Sequence, residues 1–130
     1  MVRSLILVTL LSLAACNAPP PRPPVEGQME RAKVDAATKI WSDCIDTTVK
    51  KLATPLTQAA DAADGAFKIC TPLRAALVAE VGRFRRIGAP KESADNNAAV
   101  AEASVSAIET DLRSQTEVTA VSTKLDQEKH

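Results

Sequence analysis

Histidine is nearly missing from this 130-residue chain: the single one, His130, is the last residue. A histidine-based triad and a histidine metal cluster are thereby excluded. Tyrosine is absent, and Trp41, Phe67 and Phe84 are the only aromatic side chains. The four glycines, Gly27, Gly65, Gly82 and Gly88, are too dispersed to form a phosphate-cradling loop. No Cys-x-x-Cys motif points to thiol–disulfide exchange. No alternating apolar run bounded by turn residues suggests a strand. Neither sign of charge dominates, with 16 basic and 16 acidic side chains, which gives no global electrostatic case for a nucleic-acid partner. The carboxylate pairs Asp43/Asp46 and Asp61/Asp64 lack the glycine-containing loop and further ligands of a cation site, and read as solvated helix surface. No catalytic residue, metal site or cofactor emerges, and an enzyme is the least supported class.

What is present begins at the N-terminus. Met1-Val2-Arg3 is a short basic start, followed by an apolar run from Leu5 to Leu13 broken only by Thr9 and Ser12. That run is far shorter than the roughly 20 residues a spanning helix needs. A basic start, a short apolar segment and small residues have the layout of a secretory signal. Leu13-Ala14-Ala15-Cys16 resembles the lipobox of bacterial lipoproteins. The resemblance covers the first sixteen residues. It implies removal of residues 1–15, a diacylglyceryl thioether on Cys16 and acylation of the new amino group. Several acyl chains, at about 0.8 kcal/mol per buried methylene, make a stable anchor. Asn17 follows, where an aspartate retains enterobacterial lipoproteins in the inner membrane. The resemblance therefore favours a periplasm-facing place on the outer membrane, with the inner membrane as the alternative.

Five of the eight prolines lie between Asn17 and Val25. Such a run favours polyproline II, at about 3.1 Å per residue, and reads as a semi-rigid stalk. Residues 16–28 are thus expected to be lipidated cysteine and linker, and residues 29–130 a helical domain. Its expected fold is all-α, a small antiparallel bundle of about three helices. Val34, Ala37, Trp41, Cys44, Ile45, Thr48, Val49 and Leu52 recur at helical spacing, and Pro55 ends the first helix. Ala59, Ala60, Ala63, Phe67, Cys70, Leu77, Val78, Val81 and Phe84 form a second stripe. Its phase survives Pro72, which predicts one kinked helix; the alternative is a break with Thr71 as N-cap and Pro72 at the first helical position. Gly88-Ala89-Pro90 reads as a stop, with glycine for the C-cap. A third helix should start between Pro90 and Ser93, with Ala98, Ala101, Val105, Ile108 and Leu112 inward. Beyond Leu112 the phase fails, because Val118, Val121 and Leu125 point to nearly the opposite side.

With Cys16 assigned to lipid, Cys44 and Cys70 allow one intramolecular pairing, and both fall on apolar helix faces. Antiparallel helices rising 1.5 Å per residue bring them level to within roughly 4–6 Å if the turn runs through Thr54 to Thr57. The bridge would close a 26-residue span and stabilise by about 3 kcal/mol in the chain-entropy model. Free thiols are the alternative. The Trp-x-x-Cys arm and the alanine-rich arm ending in cysteine, residues 41–70, resemble small helical exported proteins of proteobacteria, a likeness that implies a fold but no activity.

Residues 74–91 are mainly basic and residues 92–130 mainly acidic, so the third helix is expected to pack on the second with complementary charge. Arg83, Arg85 and Arg86 form one local cluster. It reads as a helix C-terminal end, where cations complement the dipole, or as a contact for anionic lipid or cell-wall polymer. The leading functional expectation is a non-enzymatic interaction or structural module of the cell envelope. It would meet membrane lipid through Cys16, and a protein partner or a second copy through the apolar strip Val118, Val121 and Leu125. Alternatives are a carrier of a small apolar ligand, or a component of a phage lysis or conjugation apparatus, some of whose lipoproteins share a proline-rich segment after the cysteine.

Overall fold

Four helices build the domain: α1 (Val25–Leu52), α2 (Ala59–Ile69), α3 (Thr71–Gly88) and α4 (Ala94–Gln127). The structure is a computed structural model that describes residues 25–129. The expected leader 1–15, Cys16 and the prolines up to Pro24 lie outside the described residues, as does His130. α1 already begins at Val25, inside the span expected to be linker. The last proline of the run is Pro24, so every residue from Val25 to Thr54 carries the N–H that a helix needs.

α1 buries Trp41, Ile45, Val49 and, just past its end, Ala53, one turn apart along one face. Lys50 and Lys51 sit in its last turn, where cations complement the dipole. The chain then reverses through 53–58. Thr57 N–H donates to Thr54 O at 3.1 Å, and the two threonine hydroxyls lie 2.7 Å apart. This is the turn through Thr54 to Thr57 that the cysteine spacing requires.

The expectation of one kinked helix across Pro72 is corrected to two helices with a single residue between them. Cys70, at φ −88° and ψ 8°, is the C-cap of α2 and the N-cap of α3. Pro72 has no N–H to give to the carbonyl of Lys68, four residues back. The Thr71 hydroxyl takes its place, donating to Lys68 O at 2.9 Å and Phe67 O at 3.2 Å. Pro72 faces solvent. Both helices pack against α1 and α4, so α2 and α3 act as one bent rod and the molecule is a three-rod bundle.

α3 stops at Gly88, but the C-cap is Ala89, not the glycine. Pro90 drives the residue before it out of helical geometry, and Ala89 lies at φ −134° and ψ 63°. Ser93 then caps α4, its hydroxyl accepting from the Asn96 N–H at 3.2 Å.

α4 corrects a second expectation. Its buried face does not fail after Leu112; Asn97, Ala101, Val105, Thr116 and Ala120 are all buried, with Leu112 packed against the core. Ala98 is exposed and Ile108 is at the margin, so the inward stripe is rotated from the one expected. The steps from Ala101 to Leu112 and from Val105 to Thr116 are eleven residues, close to the period of a straight helix. Thr116 is accommodated because its hydroxyl donates to Leu112 O at 2.7 Å. Small residues let the rods approach closely. At Gly65 in α2 an added Cβ would lie 2.8 Å from Leu52 Cδ1, and beside Gly82 in α3 stands Ala101 of α4.

Candidate functional site

Cys44 on α1 and Cys70 at the α2–α3 junction are bonded, with Cα atoms 6.2 Å apart. Cys70 is 1% exposed and belongs to the core cluster. Trp41, one turn before Cys44, is fully buried and meets the Phe67 ring edge-on at a centroid distance of 6.0 Å. The bridge therefore joins a buried sulfur at Cys70 to a partly buried one at Cys44, beside the Trp41–Phe67 contact. Among the described residues no group of three histidine, cysteine or acidic side chains is placed to hold a metal ion.

A charge network ties α4 to the bent rod. Arg74 of α3 donates from Nε to Glu109 at 2.6 Å and from Nη2 to Glu102 at 2.6 Å and Ser106 at 3.1 Å. Arg113 of α4 donates to Glu109 at 3.1 Å and to Asp64 of α2 at 2.6 Å, and its guanidinium lies 4.3 Å from the centre of the Phe67 ring. Burial pushes the Glu109 carboxyl up, but hydrogen bonds from Arg74 and Arg113 outweigh it and hold the group below its ordinary range. The bonds to Glu102 and Glu109 raise Arg74. Burial works against Arg113, and its bonds to Asp64 and Glu109 prevail and raise it. The complementary charge expected between the second and third helical stretches is thus realised through a few named pairs. The Arg113–Asp64 pair was not legible among them, because its members are 49 residues apart. All these groups are engaged with each other, so the network is an orienting lock between rods rather than a reactive site.

The arginine cluster is dispersed in the same way. Arg83 pairs with Glu80 at 3.2 Å and Arg85 with Glu92 at 2.9 Å. Arg86 is exposed beside them. Two of the three cations are balanced locally, which leaves little field for an anionic polymer.

The apolar strip is where the sequence places it. Val118, Val121 and Leu125 are 69%, 47% and 52% exposed, on the side of α4 opposite Thr116 and Ala120. With Ser114, Glu117 and Ala59 of α2 they line an open depression of about 540 Å³. The backbone beneath it is firmly held. Lys124 donates to Thr57 O at 2.7 Å and Gln127 to Ala53 O at 3.0 Å, so the end of α4 is fastened to the α1–α2 turn. Leu56, in that turn, is 97% exposed and adds an apolar contact at the same end of the bundle. Sequence reading missed it, because a lone leucine in a turn carries no periodicity.

Comparison with family models, with curated proteins and with solved structures finds no match to this chain. The functional reading therefore rests on the residues themselves: a disulfide cross-link, an internally balanced charge network and an exposed aliphatic strip.

Proposed function

We propose that the protein is a membrane-anchored lipoprotein of the bacterial periplasm, acting as a non-enzymatic interaction or structural module of the cell envelope. The observation that carries the interaction role is the strip Val118, Val121 and Leu125, three aliphatic side chains left in solvent by a helix whose other face is packed. A monomer gains nothing from such a row of branched side chains on a fastened helix, whereas a partner surface does. Two features support the location. Leu13-Ala14-Ala15-Cys16 resembles a lipobox. The Cys44–Cys70 bridge joins α1 to the α2–α3 junction, as suits a domain folded in an oxidising compartment. None of the described helices is long and apolar enough to cross a membrane; in this reading the membrane is reached through lipid on Cys16.

The anchor is tested by metabolic labelling with a fatty acid. The wild-type chain should incorporate label and the Cys16→Ser variant should not; equal labelling of both overturns the lipoprotein reading. The surface is tested by placing aspartate at Val118 and Val121 and cross-linking in intact cells. Cross-linked products should disappear while the melting temperature stays unchanged, and an undiminished pattern overturns the interaction role of the strip.

A further inference from the structure

We propose that the occupant of the α4 strip is a second copy of this chain, packed antiparallel so that Val118 of each copy meets Val121 of the other. This rests on the reading of the strip as an interaction surface and names its partner. Val118, Val121 and Leu125 follow one another at spacings of three and four, with Ser114 one step earlier. That is the alternation of a two-helix seam, confined to the exposed side of α4. The two-fold axis of an antiparallel pair lies between Val118 and Val121, giving two Val118–Val121 layers flanked by two Ser114–Leu125 layers.

Charge selects this register. The flanking positions on the α2 side of the seam are Glu117 and Lys124. In the antiparallel pair with Val118 against Val121, Glu117 of one copy lies beside Lys124 of the other, and the symmetry makes that contact twice. The opposite flank brings Gln115 beside Ser122, which is neutral. Sliding one copy by a heptad toward the C-terminus sets Lys124 against Lys124, and sliding it the other way sets Glu117 against Glu117. A parallel pair sets Glu117 against the neutral Ser122 and turns Lys124 toward the chain beyond the end of α4 at Gln127, so it joins no opposite charges. Only the first arrangement joins opposite charges without also joining like ones. Lys124 is already oriented by Thr57 O, and Glu117 is exposed on the rim of the depression.

The size of the seam sets its strength. A strip of three aliphatic residues offers much less than the ~800 Å² per partner of a stable interface. The pair is therefore weak in dilute solution and forms where copies are concentrated, as on a shared membrane.

The test uses the full chain in living cells, with a photo-reactive amino acid in place of Val121. Illumination should give an adduct of twice the chain mass. Glu117→Lys and Lys124→Glu should each reduce that adduct severalfold, since each alone makes like-charge contacts. Producing the two variants together should restore it, since the mixed pair regains both attractions, and that recovery also shows that both variants fold. An adduct of two chains insensitive to the charge reversals overturns the antiparallel register. An adduct only with a different protein overturns self-association while leaving the strip an interaction surface. Absence of any adduct from Val118, Val121 and Leu125 alike overturns both.

Discussion

At the scale of single residues, Glu109 and the cysteine pair carry the most consequence. Glu109 is held by two guanidinium groups on two helices, and its carboxyl is depressed below the unfolded value of about 4.3. A depressed carboxyl stabilises the fold above its unfolded pKa, and the contribution is lost as pH falls through the folded value. Glu109→Gln should therefore cost about 1–2 kcal/mol at neutral pH, the roughly 1.5–3 kcal/mol of a hydrogen bond to a charged group reduced by solvent screening. The gap between the two melting temperatures should narrow below about pH 4 and close once the carboxyl is protonated. A gap constant down to strongly acid solution would contradict the ion-pair account. For the bridge, replacing Cys44 and Cys70 by serine reopens a 26-residue loop and should cost roughly 3 kcal/mol. In a domain of this size that lowers the melting temperature by about 10–20 °C, measurable by calorimetry. The pairing was legible because only two cysteines remained and helix geometry set them level. The seat of Arg113 over Phe67 was not, since nothing local to either residue points to the other.

At the scale of elements, what was legible depends on which residues line the inward face. The inward face of α1 is read correctly because Trp41, Ile45 and Val49 are large, and their spacing is unmistakable. α4 is misread in its second half because its inward face there is built from Thr116 and Ala120, while its largest aliphatic residues face out. A close helix approach needs small residues inside, which inverts the usual weighting of periodicity. The α2–α3 junction is misread for a different reason. The stripe keeps its phase across Pro72, and whether one residue leaves the helix depends on how the Thr71 hydroxyl and the missing proline N–H settle the local hydrogen bonds. The end of α3 supplies a direct test. If Gly88 were a left-handed C-cap, Gly88→Ala would destabilise by about 1 kcal/mol. Here Gly88 is the last helical residue and an added Cβ meets nothing within 4 Å. Gly88→Ala should instead raise stability by a few tenths to about 1 kcal/mol, read from the denaturant midpoint at unchanged slope.

For the whole molecule, the direction of the rods decides what the C-terminal third is for. α1 and α4 run the same way, both antiparallel to the α2–α3 rod, as the Cys44–Cys70, Arg74–Glu102 and Arg113–Asp64 contacts require. Val121 lies 27 residues after the start of α4, about 40 Å along its axis. The strip is consequently at the end of the bundle far from the start of α1. The same geometry makes the last third structural. Thr116 and Ala120 cover the core formed by Ile45, Val49 and Ala62, and Lys124 and Gln127 close the α1–α2 turn. Removing residues 114–130 would strip cover from several buried side chains, each worth roughly 1.5–3 kcal/mol of burial. Against a stability of 5–15 kcal/mol typical of such a domain, that loss should abolish cooperative unfolding. Replacing Val118, Val121 and Leu125 together by serine removes only solvent-facing groups and should shift stability by no more than about 0.5 kcal/mol per site. Thermal melts of the two variants separate the roles. A truncated chain that melts as the parent does would mean the tail is no part of the core. A triple-serine variant that fails to fold would mean the strip is core in the folded molecule, covered by something stable rather than held ready for a weak partner.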